Sequence, residues 1–235
     1  MATNLIELVF ILDRSGSMSG LESDTLGGFN ALLAKQKGEP GKARITTVLF
    51  NNAYDIIHDR LDLDTVSPLT EKEYFVGGST ALLDAIGRSI QKVDRVMAST
   101  APAHRPDKVM FAIITDGMEN ASRRFTRQQV AEVVKARRDL GWEFLFLGAN
   151  MDAITVAQGF GIDASRAQTF VNDSEGVALN FQAVSDATSS MRRHKVLDAQ
   201  WSRPIRERGV VEAPPQGKPE KKDRKAGPAP DGQKV

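Results

Sequence analysis

Apolar residues fall along this chain in short blocks that alternate between two periods. Residues 5–12 form a nearly unbroken apolar run, the pattern of a strand covered on both faces, and end in the polar, Gly/Ser-rich stretch 13–20. Leu21, Leu26, Phe29, Leu32 and Leu33 then recur at helical spacing until Gly38-Glu39-Pro40-Gly41 stops the pattern. Residues 44–50 and 54–58 are β-branched and aromatic runs split by Asn51-Asn52-Ala53, a hairpin signal. Tyr74-Phe75-Val76 reads as a strand end leading into Gly77-Gly78-Ser79-Thr80, and Leu82, Leu83, Ile86, Ile90, Val93 and Met97 mark an amphipathic helix after it. Residues 109–114 read as a buried strand ending at Thr115-Asp116-Gly117, followed by a helix over 126–140 with Thr126 as its N-cap. A strand at 142–147, a short helix at 152–160, a weak strand at 168–171 and a helix at 174–193 complete the pattern. Strands alternating with helices predict an α/β fold, with a mostly parallel sheet and helices on both faces.

The 235 residues suffice for one substantial domain and a tail. The expected division is a domain over 1–198 and a disordered Pro/Lys-rich tail over 199–235, because six of the 10 prolines (Pro204, Pro214, Pro215, Pro219, Pro228 and Pro230) fall there with few large apolar residues. From Arg203 onward the chain has nine Lys/Arg and five Asp/Glu, leaving a slightly acidic body. A solubilising or spacer role suits such a tail. The net charge of +1 gives no reason to expect nucleic acid or a membrane as partner. There is no cysteine, which excludes disulfides, thiolate nucleophiles and Cys-ligated metals. The first apolar run has no basic leader and is too short for a membrane span, so a cytoplasmic location is the expectation.

Three loops carry the candidate chemistry: Asp13-Arg14-Ser15-Gly16-Ser17, the Gly-rich stretch reaching Thr80, and Thr115-Asp116-Gly117. Each follows a predicted buried strand, and loops at the carboxyl ends of neighbouring strands in an open α/β sheet converge on one crevice. Together they offer two carboxylates and three hydroxyls. Such oxygen-only sets select magnesium, manganese or calcium over zinc or copper. In an extended stretch Asp13, Ser15 and Ser17 would face one point, with Gly16 allowing a tight turn.

This pattern resembles the metal-ion-dependent adhesion site of von Willebrand factor A domains. Asp13-x-Ser15-x-Ser17, Thr80 and Asp116 match it in identity and chain order, and the resemblance covers roughly residues 5 to 193. It implies a doubly wound, mostly parallel sheet with one antiparallel edge strand. It further implies that Ser15, Ser17 and Thr80 bind Mg2+ (or Mn2+) through their hydroxyls while Asp13 and Asp116 neutralise it, partly through bound water. A Glu or Asp carboxylate from a protein partner would complete the shell. Arg14 departs from the small or aliphatic residue usual at that position. Bacterial intracellular members, often adaptors in larger assemblies, are the more similar branch. The last helix, over 174–193, matches the element that shifts in some relatives.

Other readings stand beside this one. Asp13–Ser17 alone could cap a helix, and a phosphate-binding loop would need a lysine that neither Gly-rich stretch has. A metal-assisted phosphoester hydrolase would need a base, for which Glu119 is the nearby candidate. Arg14, Met18, Glu119, Asn120, Arg123 and Arg124 are candidate rim residues for partner contact. His58, His104 and His194 lie too far apart in sequence to suggest a ligand set, and Trp142, Phe144 and Phe146 are expected in the core.

Overall fold

The computed structural model describes residues 4–212, with side chains described through residue 209. Strand β1 (Leu5–Asp13) is central, and its alternation builds both faces of the molecule at once. Ile6, Leu8, Phe10 and Leu12 enter one core, whereas Val9 and Ile11 enter the other. Around it lie β2 (Lys42–Phe50), β3 (Tyr54–Asp62), β4 (Lys108–Thr115), β5 (Glu143–Ala149) and β6 (Ala167–Phe170), in the order β3-β2-β1-β4-β5-β6. All neighbours pair parallel except β2 and β3, the hairpin that closes one edge. The predicted fold class is therefore the observed one.

Helices α1 (Glu22–Lys37) and α5 (Ser174–His194) cover the first face. Phe10 meets Phe29 edge-on at 5.5 Å and Phe29 meets Phe181 at 6.3 Å, which joins the strand to both helices. A Cβ at Gly28 would come within 2.4 Å of the Phe181 ring, so this glycine sets how closely the two helices approach. At the far end Arg192, which is buried, donates to the carbonyls of Glu39 and Gly41 at 2.9 and 2.8 Å and also to that of Gln36. It thereby satisfies acceptors that the end of α1 leaves open. Helices α2 (Leu82–Ser99), α3 (Arg127–Arg138) and α4 (Ala153–Gly159) cover the second face through Ile86, Ile90, Val130, Val134 and Ala157. Thr126 and Gln129 form a reciprocal capping box at the start of α3, as the sequence suggests for Thr126. Phe144 and Phe146 are buried, and half-buried Trp142 stacks on Phe111 at 5.8 Å.

Strand order decides where a ligand fits. β1 continues toward β2 on one side, whereas β4 leads toward β5 and β6 on the other. The loops leaving β1 and β4 therefore run apart at their carboxyl ends and open a crevice between them.

Two expectations are corrected. Tyr74-Phe75-Val76 is not a strand; Tyr74 is instead a buried anchor whose hydroxyl donates to the Asp13 carbonyl at 2.7 Å. The first part of the expected tail over 199–235 is folded. Leu197, Trp201 and Ile205 join the core beneath α1 and α5, and helix α6 spans Arg203–Glu212. Trp201 also donates from its indole nitrogen to the Ser165 carbonyl at 2.9 Å. Pro204 sits in the first turn of α6, where a missing N–H costs nothing. Positions 213–235 of the expected tail lie outside the described residues. Among the described residues no helix is long and apolar enough to cross a membrane.

Trp201→Ala in the full chain should lower stability by about 3 kcal/mol, as loss of a large buried aromatic does, measured by urea unfolding. A change below about 0.5 kcal/mol, the usual size for surface sites, would place this segment off the core.

Candidate metal centre

Asp13 is the last residue of β1 and is 1% exposed. Its Oδ1 accepts the backbone N–H of Ser15 at 2.7 Å and its Oδ2 accepts the Thr115 hydroxyl at 2.5 Å. The carboxylate therefore ties the end of β1 to the end of β4. The next turn, Gly16–Met18, is 3-10 rather than extended, and it brings the Ser15 and Ser17 hydroxyls to 3.1 Å. The convergence of these two side chains thus comes from a tight turn, not from strand alternation. Gly16 contributes by close approach: its N–H donates to the Gly78 carbonyl at 3.1 Å.

Thr80 arrives on a loop held from both sides. Gly77 N–H donates to the Arg14 carbonyl at 2.9 Å, and the Asn51 amide donates to the Gly77 carbonyl at 2.8 Å. Gly78 adopts φ +77, and a Cβ there would lie 2.1 Å from Asn52, so the bend requires glycine. Thr80 N–H then donates to the Asn120 side chain at 2.9 Å, while the Thr80 carbonyl accepts Asn120 N–H at 3.0 Å. The second and third loops are laced together in this way.

Asp116 follows β4 and is 3% exposed. Ser17 Oγ donates to its Oδ1 at 2.6 Å and Asn172 Nδ2 donates to its Oδ2 at 3.3 Å. Gly117 gives the most direct measure of convergence. A Cβ built on it would lie 2.8 Å from Thr80 Oγ1, 3.0 Å from Ser17 Oγ and 3.5 Å from Ser15 Oγ. Three hydroxyls from two separate loops therefore border one small space beside Asp116. Asp13, Ser15, Thr80 and Asp116 are buried and Ser17 is exposed, so the space opens toward solvent on one side.

Electrostatics sharpen the picture. Burial raises the Asp13 pKa to about 6; hydrogen bonds from Thr115 and Ser15 oppose the rise and the nearby Asp116 charge adds to it. Burial raises Asp116 as well, against the hydrogen bonds from Ser17 and Asn172. Among the described residues, the four hydrogen bonds to the two carboxylates come from neutral groups. Two buried carboxylates without a cationic partner among the described residues, beside three hydroxyls and a gap that one Cβ would fill, form a donor set that fits a hard divalent cation. Among the described residues no three His, Cys, Asp or Glu cluster as a metal site. The hydroxyls are what distinguish this arrangement from a carboxylate cage.

Several rim expectations are revised. Arg14 is 3% exposed and points away from the crevice, pairing with Asp55, donating to the Glu73 carbonyl at 3.1 Å and lying 4.6 Å over the Phe75 ring. Met18 is buried too, whereas Met118 and Phe75 are exposed. Glu119 accepts the N–H groups of Leu83, Ala121 and Ser122 at 2.9, 3.0 and 2.7 Å, and the Ser122 hydroxyl at 2.8 Å. It caps α2 and is not free to serve as a base. Asn120 holds Thr80, and the backbone N–H groups of Arg123 and Arg124 donate to Asp84 at 3.0 and 2.9 Å. His58 is buried, with its Nδ1 3.0 Å from Thr47 Oγ1. Sequence reasoning missed the roles of Thr115, Tyr74 and Asn172. Thr115 carried a signal, being a hydroxyl at a strand end beside Asp116. Asn172 was masked by its neighbour Asp173, whose N-cap signature explains the Asn-Asp pair without any site.

No family model and no curated protein matches the chain by sequence. Solved structures do match in shape. The von Willebrand factor type A protein from Catenulispora acidiphila gives a TM-score of 0.53 at 17% identity, covering 79% of this chain and 42% of that one. The manganese-loaded TRAP protein of Plasmodium vivax gives 0.53 at 18% identity, covering 76% and 72%. Proximal thread matrix protein 1 of the mussel byssus, solved with a zinc-occupied MIDAS motif, gives 0.52 at 12% identity, covering 78% and 46%. This chain thus spans less than half the length of the Catenulispora and mussel chains. At these identities the likeness establishes the fold, that of a von Willebrand factor A domain.

The Asp13 shift has a sign that can be measured in chelator. Its folded pKa of about 6 lies above the ordinary 3.8, so the folded state holds the proton more tightly. The cost of the buried charge is full above about pH 6 and disappears as pH falls toward 4. Asp13→Asn should therefore raise metal-free stability at pH 7 by about 2 kcal/mol and flatten its pH dependence between 4 and 6. A loss of stability at pH 7 in urea titrations would show that the charge is compensated in some other way.

Proposed function

We propose that this chain, which folds as a von Willebrand factor A domain, is a non-enzymatic interaction module. Asp13, Ser15, Ser17, Thr80 and Asp116 hold one divalent cation, Mg2+ or Mn2+, and the cation takes a Glu or Asp carboxylate from a protein partner. The observation that carries this reading is the pair of buried carboxylates bonded, among the described residues, only to neutral groups, with three hydroxyls facing the space at Gly117. The solvent-open side beside Ser17 supports an exchangeable position on the ion. The fold's occurrence in manganese-loaded and zinc-occupied relatives supports a divalent cation in general.

Each residue has a role. Asp13 and Asp116 would supply two negative charges, which leaves the first shell neutral and receptive to one more carboxylate. Thr115 and Ser15 N–H aim Asp13, while Ser17 and Asn172 aim Asp116. The cation supplies an electrophilic anchor that hydroxyls alone cannot. Glu119, the candidate base of a hydrolase, is consumed in capping α2, and no other observation favours hydrolysis. A cytoplasmic adaptor role in a bacterial assembly belongs to this same proposal.

Calorimetry with MgCl2 or MnCl2 should give one binding event per chain, lost in Asp116→Ala. Gly117→Ala retains every donor but fills the gap, and should weaken binding by about 100-fold, the upper range for changes beside a metal site. Capture from a host lysate in Mg2+ should enrich proteins that chelator and Asp116→Ala both release. Uptake by the two variants equal to wild type, or an identical set of captured proteins with and without Mg2+, would refute the proposal.

A further inference from the structure

Asn172 lies at the corner where β6 (Ala167–Phe170) turns into α5, outside the five residues assigned to the cation. Three observations set it apart. Its Nδ2 donates to Asp116 Oδ2 at 3.3 Å, on the oxygen that Ser17 leaves open. Its Oδ1 is buried and has no hydrogen-bond partner among the described residues. The corner itself is clamped: Asp173 caps α5 by accepting Gly176 N–H at 2.8 Å and takes a two-pronged contact from Arg208 of α6 at 2.7 and 2.5 Å. Ser174 Oγ meanwhile donates to Asp24 of α1 at 2.7 Å.

The orientation of the amide is dictated by chemistry. Asp116 accepts and does not donate, so the Asn172 nitrogen must face it and the carbonyl oxygen must turn elsewhere. A buried, unpaired amide oxygen is costly, on a scale that proteins rarely tolerate without a partner. Here that oxygen belongs to the one side chain among the described residues that hydrogen-bonds a site carboxylate from outside the three metal loops.

We propose that Asn172 is a sixth member of the cation site. It is a positioning residue that steadies Asp116 and whose free amide oxygen receives hydrogens of water held by the ion. This rests on the reading of the crevice as a cation centre. Asn172 also links that centre to α5 and, through Asp173 and Arg208, to α6, so the segment 203–212 holds the corner that carries it. The partner groups of metal sites change affinity by about 10- to 100-fold when removed, and this sets the expected scale.

The test is calorimetric titration of the full chain with MnCl2 alone, alongside urea unfolding in chelator. Asn172→Ala should weaken Mn2+ binding by about 10- to 100-fold. Asn172→Asp supplies oxygen in the same shape and adds a charge beside Asp116. It should lower metal-free stability by like-charge repulsion yet bind Mn2+ at least as tightly as wild type. The discriminating result is the Asn172→Ala loss, because a residue with no link to the ion does not change Mn2+ affinity when its amide is removed. Affinity of Asn172→Ala within twofold of wild type, or equal losses in Asn172→Ala and Asn172→Asp, would overturn the assignment while leaving the five-residue site intact. Absence of Mn2+ uptake by the wild-type chain would overturn both.

Discussion

Two carboxylates held out of water where the sheet reverses its winding set the terms for the rest of this molecule. Asp13 ends β1 and Asp116 follows β4, and among the described residues neither accepts a hydrogen bond from a cationic side chain. Arg14 is adjacent in sequence but turns to Asp55, Glu73 and Phe75 on the other side of the loop. That choice leaves the negative charge without a paired cation among the described residues. A buried charge without a partner is normally neutralised by protonation or by an ion. The surrounding loops serve to keep this arrangement: Tyr74 anchors the Asp13 backbone, Thr115 fixes its carboxylate, and the Gly77–Gly78 bend delivers Thr80.

Most of the architecture was legible because the chain states it at the level of period. The β1 run covered on both faces, the helical spacing in α1 and α2, and the Asn51-Asn52-Ala53 hairpin all reappear as elements. The hairpin forms the antiparallel edge. The meeting of the first and third loops was legible for a different reason: topology carries the carboxyl ends of β1 and β4 to one crevice, so residues 99 positions apart, Ser17 and Asp116, come to hydrogen-bond, whereas Thr80 arrives on a loop that follows no strand.

What was not legible depends on contacts that no local pattern encodes. The composition after 198 suggested a tail, yet Trp201, just before α6, and Ile205 within it both enter the core; two apolar residues among prolines and arginines are too weak a periodic signal to stand out. Tyr74 resembled a strand residue but is an anchor. A buried tyrosine with its hydroxyl on a backbone carbonyl looks the same in sequence as one in a strand. Arg14 and Met18 seemed solvent-facing because they flank glycines and serines, whereas the 3-10 turn at Gly16–Met18 rotates Met18 inward and the Asp55 and Glu73 acceptors hold Arg14.

The central claim is that oxygens from three loops surround one cation at Gly117, and anomalous diffraction from a crystal soaked in MnCl2 tests it most directly. The account predicts a single strong peak bounded by the Ser15, Ser17 and Thr80 hydroxyls and the Asp116 carboxylate. A crevice without a peak, or with manganese bound only elsewhere on the surface, would contradict it.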